Sequence, residues 1–194
     1  MSTSEQITKD PEAGRVMRAD ARRNYEKVLA AARDAFAEGG AETSLEGIAR
    51  RAGVGIGTLY RHFPTRQALL EAVYVGEVEQ VCRSAEELLE MSPWEGFSAW
   101  MFRLVSYLAT KQALAAELLD YVSRDSDLFS TCRAKLFAAG EPLLARAQED
   151  GVVRSDTSLS EVVQLVGGIA KIQTTDPGQR EHILEIALDG LRRQ

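Results

Sequence analysis

The chain has 194 residues, 45% hydrophobic and 27% charged, which suits one large globular domain or two small ones and excludes a disordered or collagen-like chain. No run of about 18 apolar residues marks a membrane-spanning helix. The polar start, Met1-Ser-Thr-Ser-Glu, lacks the apolar core of a secretion signal, so a cytoplasmic protein with no membrane partner is expected. Cys82 and Cys132 stand 50 residues apart, and only two histidines are present. These fit no metal-ligand spacing, so no metal or cofactor is expected.

The formal net charge is −6, but it is unevenly spread. Arg15 to Arg66 holds ten Lys/Arg against six Asp/Glu, whereas Gly76 to Gln194 holds twelve against nineteen. A basic N-terminal third on an acidic remainder suits a chain in which one part meets phosphate.

Residues 1–18 are polar and lack periodicity, and are expected to form a mobile tail. Its basic end, Arg15 and Arg18, followed by Arg22 and Arg23, either tracks a DNA backbone or is simply solvated. Tyr25, Val28, Leu29, Ala32 and Phe36 then mark one face of a first helix, which Gly39-Gly40 ends. Thr43-Ser-Leu-Glu46 reads as a capping box opening a short second helix, and Gly53 breaks it. A third helix covers about Ile56 to His62. A long fourth helix runs from about Thr65 to Glu90, after Pro64. Pro93 starts a fifth, with Trp94, Phe97, Met101, Leu104 and Leu108 on one stripe. A sixth is expected over about Lys111–Val122 and a seventh over about Ser126–Glu149, kinked or interrupted at Pro142. Ser158-Leu-Ser-Glu161 is a second capping box, opening an eighth helix through about Ile172. Asp176-Pro177 reads as an N-cap and first turn of a ninth. No strand-like alternation occurs, so the fold class is all-α, with about nine helices.

Residues 43–66, TSLEGIARRAGVGIGTLYRHFPTR, have the spacing of a helix-turn-helix. Ile48, Ala49, Ala52, Val54 and Leu59 supply contacts that lock two short helices together. The second is about seven residues long and has no stability of its own. Its outward residues Thr58, Tyr60, Arg61 and His62 are hydrogen-bond donors, and no acidic residue occurs between Arg50 and Arg66. Such a face suits the acceptor-rich major groove and its phosphate rims.

The matching positions are Thr43, Ile48-Ala49, Ala52-Gly53-Val54, Gly57-Thr58-Leu59-Tyr60, His62-Phe63 and Arg66. On these, the segment from about 18 to 75 resembles the DNA-binding domain of the tetracycline-repressor (TetR) family of bacterial transcriptional regulators. The resemblance implies a double-stranded operator with an inverted repeat as partner. It further implies that Thr43, Tyr60 and Arg66 donate to phosphate, and that Ile56, Thr58 and Arg61 approach bases. His62 is either a further contact or a structural histidine. The chain departs from the family at Gly55, where Ser or Thr is common. The implied organisation is a tail (1–18), a three-helix helix-turn-helix domain (19–65) and a helical effector-binding and dimerisation domain (66–194).

One helix-turn-helix touches few base pairs, so specific binding calls for two, about 34 Å apart on DNA. The last two helices are apolar on more than one side, and the dimer interface is placed on Val162, Leu165, Val166, Ile169, Ile183, Ala187, Leu188 and Leu191. In the family these helices form a four-helix bundle. Most of the aromatics lie on helices four to seven, which either form core or enclose a pocket. The resemblance implies a small, mostly apolar effector there. The pocket is assigned to Val81, Leu88, Phe97, Met101, Leu104, Tyr107, Leu118, Tyr121, Phe129 and Phe137. Cys82 and Cys132 read as small apolar residues or as a redox pair. The sequence carries no GxGxxG, P-loop, GxSxG or HExxH motif, and no enzymatic activity is expected. Together these features imply a homodimeric, ligand-released repressor.

Overall fold

The computed structural model describes residues 11–39, 42–123, 126–174, 176 and 178–193. Within helices, the side chains of 11–19, 39, 110, 112 and 113 lie outside the described part. The described residues form eight α-helices: α1 (Pro11–Gly39), α2 (Leu45–Ala52), α3 (Ile56–His62), α4 (Arg66–Leu88), α5 (Pro93–Leu118), α6 (Asp127–Glu149), α7 (Leu159–Ala170) and α8 (Gln179–Leu191). Contacts divide the chain into two compact units, one up to Leu69 and one from Leu70.

The all-α class follows from the 3.6-residue periodicity, and most boundaries from local chemistry. Three boundaries differ from expectation. The segment read as a tail is helical from Pro11, while residues 1–10 and the side chains of Arg15 and Arg18 lie outside the described residues. Arg22 and Arg23 form exposed pairs with Glu26 and Asp20 on their own helix. The predicted fifth and sixth helices are one continuous helix, α5, because nothing in Leu108–Leu118 breaks it. Helix α6 keeps the expected range with Pro142 inside it, and the proline does not interrupt it. Helix α8 begins at Gln179 with Gly178 as its cap, φ +104°, rather than at Asp176-Pro177; Pro177 lies outside the described residues.

The Ser158–Glu161 capping box forms as expected. Ser158 Oγ accepts the Glu161 N–H at 3.3 Å and the Glu161 carboxylate accepts the Ser158 N–H at 2.8 Å.

In the second unit the core centres on Trp100, which is fully buried and donates its indole N–H to the Val81 carbonyl at 3.2 Å. Gly140 on α6 lies against that ring. A Cβ there would meet two Trp100 ring carbons at 2.3 and 2.6 Å. The glycine therefore sets how closely α5 and α6 approach. The end of α8 is pinned to the α6–α7 loop, where Arg154 N–H donates to Leu191 at 3.0 Å and Arg193 N–H to Val152 at 3.2 Å.

Gly140→Ala should lower stability by about 1–3 kcal/mol, the cost of overpacking a filled core. Chemical denaturation checks this, and an unchanged midpoint would show that the indole moves aside freely.

Candidate nucleic-acid interface and an internal cavity

In the first unit, α2 and α3 are too short to persist without tertiary support. Gly53 turns the chain between them at φ +66°, a left-handed conformation that favours glycine. Its N–H and that of Val54 return to the last turn of α2, at 3.2 and 3.0 Å. Ile48, Ala49 and Leu59 are buried at the helix crossing.

Helix α1 supplies the support. Arg51 reaches Glu38 through two hydrogen bonds of 2.6 and 2.8 Å, which hold the Glu38 carboxyl below its ordinary range. Tyr25 stacks on Phe63 with centroids 5.0 Å apart and meets the His62 ring edge-on at 5.9 Å.

Two residues assigned to phosphate have other attachments. Thr43 is not the helix cap. Ser44 is, its Oγ accepting the Gly47 N–H at 3.0 Å. The Thr43 hydroxyl instead donates to the Ala35 carbonyl at 2.9 Å. Arg66 donates to the Thr43 carbonyl and lies over the Phe36 ring, 5.0 Å from its centroid. It ties the start of α4 to α1 and to the loop before α2.

The outward side of α3 is open. Ile56 and Tyr60 are 38% and 43% exposed. Arg61 and Arg50 are exposed, and no described residue pairs with either. Thr58 is half-buried, as is His62 against Tyr25 and Phe63. Gly55 and Gly57 are also exposed, and a Cβ at either would meet nothing within 4 Å. Internal packing therefore does not require these glycines. Gly55 caps α3 with extended backbone and no side-chain bond.

The second unit holds a half-open cavity of about 520 Å³. Its walls are Tyr74 of α4, Tyr107, Leu108, Lys111 and Ala115 of α5 with Leu119 after it, Phe129, Cys132, Arg133, Leu136 and Phe137 of α6, and Ser160, Val163 and Gln164 of α7. Of the predicted pocket residues only Tyr107, Phe129 and Phe137 line it. Val81, Leu88, Phe97, Met101, Leu104 and Leu118 are buried in the core, and Tyr121 is 47% exposed. The stripe of large apolar residues on α5 faces the core as far as Leu104. Leu108 at its end lines the cavity, followed at the same helical spacing by Lys111 and Ala115, a lysine and a small residue that an apolar pattern does not mark.

The Lys111 ammonium lies 5.0 and 5.4 Å from the Tyr74 and Tyr107 ring centroids. Burial lowers its pKa and raises those of both phenols. Cys82 is half-buried and Cys132 buried, both free. Burial raises both thiol pKa values and so opposes thiolate reactivity.

On α7 and α8, Val162, Val166, Ile169, Leu188 and Leu191 are buried within the chain's own unit and are not available to a second copy. Leu165 and Ile186 are 42% and 60% exposed, and Ile183 and Ala187 are half-buried.

Comparison with known proteins places this architecture. The family described as "Transcriptional regulator SbtR-like, C-terminal domain" matches residues 92–193, and "Bacterial regulatory proteins, tetR family" matches residues 28–73. The chain belongs to the TetR family. A TetR transcriptional regulator of Streptomyces coelicolor is 40% identical, with a TM-score of 0.78 over 87% of this chain and 98% of the other. A TetR regulatory protein of Mycobacterium vanbaalenii is 36% identical, with a TM-score of 0.76 over 91% and 99%. An HTH-type transcriptional regulator of Staphylococcus aureus is 32% identical over 51% of this chain and 53% of its own length. As a TetR-family member the chain is a DNA-binding transcriptional regulator. No described helix is long and apolar enough to cross a membrane.

Gly55→Ser tests the open cap. The added side chain has room and should supply the missing cap bond, raising stability by a few tenths of a kcal/mol. Thermal denaturation of the full chain checks this. A lower melting temperature would mean that the hydroxyl does not reach the α3 N–H groups.

Proposed function

We propose that the chain is a homodimeric repressor whose first unit reads an inverted-repeat operator and whose second dimerises and binds the releasing effector. The observation that carries the DNA reading is the outward face of α3. Ile56, Tyr60 and Arg61 are exposed there, beside two glycines that nothing inside the protein requires. Arg61 and Thr58 read bases, Tyr60 donates to phosphate, and Ile56 meets the apolar part of a base edge. His62 supports this face through Tyr25. Arg66 and Thr43 bring backbone groups and the α4 start into place.

Leu165 and Ile186 support dimerisation through α7 and α8. Gly167, Gly168 and Gly190 add to this, because a Cβ at each would meet nothing within 4 Å. Small residues beside exposed apolar ones admit a close helix approach from outside. Helix α4 carries both Arg66 and, eight residues on, the cavity-lining Tyr74. A ligand that prefers one setting of that helix would shift operator affinity by a typical coupling of about 1–3 kcal/mol.

Selection of bound sequences from a random DNA pool, with and without cell-extract metabolites, tests the whole reading. An inverted repeat that the metabolites displace is expected. Arg61→Ala should lose preference at one or two base positions, by about 1–3 kcal/mol each. Tyr60→Phe should weaken binding to all sequences alike. A consensus unchanged by Arg61→Ala would remove Arg61 from base reading.

The interface is tested by Leu165→Arg combined with Ile186→Glu. Light scattering should show a helical monomer with weakened operator binding. A dimer of undiminished stability would move the interface away from α7 and α8. Charges at the buried Ile169 or Leu188 would instead unfold the unit.

A further inference from the structure

We infer that the cavity takes an amphipathic organic anion, a carboxylate on an apolar chain or ring, with the carboxylate at Lys111 and the apolar body along Phe129, Leu136 and Phe137. This rests on the effector reading above and supplies its chemistry. The cavity wall is largely apolar, yet it holds two cations, Lys111 and Arg133, and no carboxylate among its described residues. The Lys111 ammonium rests on the faces of Tyr74 and Tyr107. Ring faces attract a cation but give its three N–H donors no oxygen acceptor. No described residue supplies one.

The neighbouring charges do not fill that role. Cys132 and Arg133 are the groups that bear on Lys111. Glu77 bears on Tyr107, and Glu79, which pairs with Lys135 at 3.4 Å, bears on Cys132. A ligand carboxylate would bring the counter-charge into a site of low dielectric, where it counts most. A neutral ligand would bury the ammonium further without compensation. An amine would be repelled by both cations.

The test uses three probes of one shape, decanoate, 1-decanol and decylamine, titrated calorimetrically into the full-length protein. Decanoate should bind most tightly and decylamine most weakly. Lys111→Met should lose decanoate affinity on the order of tenfold and erase its advantage over decanol, while Lys111→Arg retains it. Ala115→Trp, which fills the cavity, should abolish decanoate binding. The assignment is overturned if decanol or decylamine matches decanoate, if Lys111→Met keeps the preference, if Ala115→Trp leaves decanoate binding intact, or if none of the three binds. Operator affinity separates this inference from the release reading. Decanoate bound through Lys111 with operator affinity unchanged upholds the site and refutes release. Release by decanol through a cavity indifferent to charge does the reverse.

Discussion

A seven-residue helix must be held by its surroundings, and in this protein the rest of the first unit is arranged around that need. Nucleation is too costly for α3 to persist alone. Its inner side is occupied by buried Leu59, and its end by Phe63 packed on Tyr25. Helix α2 is clamped to α1 by the Arg51–Glu38 pair and by the Gly53 turn. Thr43 and Arg66 fasten the loop before α2 and the start of α4 to the same helix. Each of these groups faces inward or along α1. What remains exposed on α3, namely Ile56, Tyr60 and Arg61, is therefore free of structural duty.

The fold was legible because helix periodicity and caps are local. Ser158 and Glu161 close a box by themselves, and Gly53 ends α2 wherever the rest of the chain lies. Errors arose where a distant group intervened. Thr43 and Ser44 are both able to cap, and Glu46 stands three residues after Thr43. Spacing alone favours Thr43, but the Ala35 carbonyl draws its hydroxyl away and leaves the cap to Ser44. A separate helix from about Lys111 was expected, but α5 runs on past it, and Leu114 and Leu118 return to the core beyond the cavity-lining Lys111.

Site residues were harder to read for a related reason. Successive helix positions are separated by about 100° around the axis, so a helix apolar on several sides does not declare which side meets its own core. Val162, Val166 and Ile169 turn inward, whereas Leu165 turns out. The cavity poses the same problem with an added one. Its distinguishing residue is a lysine, and a lysine in sequence reads as surface. Only its placement over two tyrosine rings shows that it is half-buried in a largely apolar wall.

That placement bears on how the proposed switch would work. A ligand changes operator affinity only through unequal affinity for two arrangements of the protein. Apolar burial alone discriminates poorly between them, because dispersion and hydrophobic contacts are non-directional and tolerate small shifts. A charge contact in a low-dielectric pocket depends steeply on separation. Tyr74, on α4, forms part of the cradle of Lys111 on α5, so the cation's position reports the setting of one helix against the other. An anion held there would favour the setting that brings its carboxylate to the ammonium. The proposed apolar body would supply affinity, and the charge would supply the preference between states. The other end of α4 carries Arg66, held by a hydrogen bond to the Thr43 carbonyl and by the face of Phe36. A coupling of about 1–3 kcal/mol is comparable to what hydrogen bonds of this kind contribute. The switch would thus oppose one small electrostatic preference to another, which a change in a single helix setting is sufficient to tip.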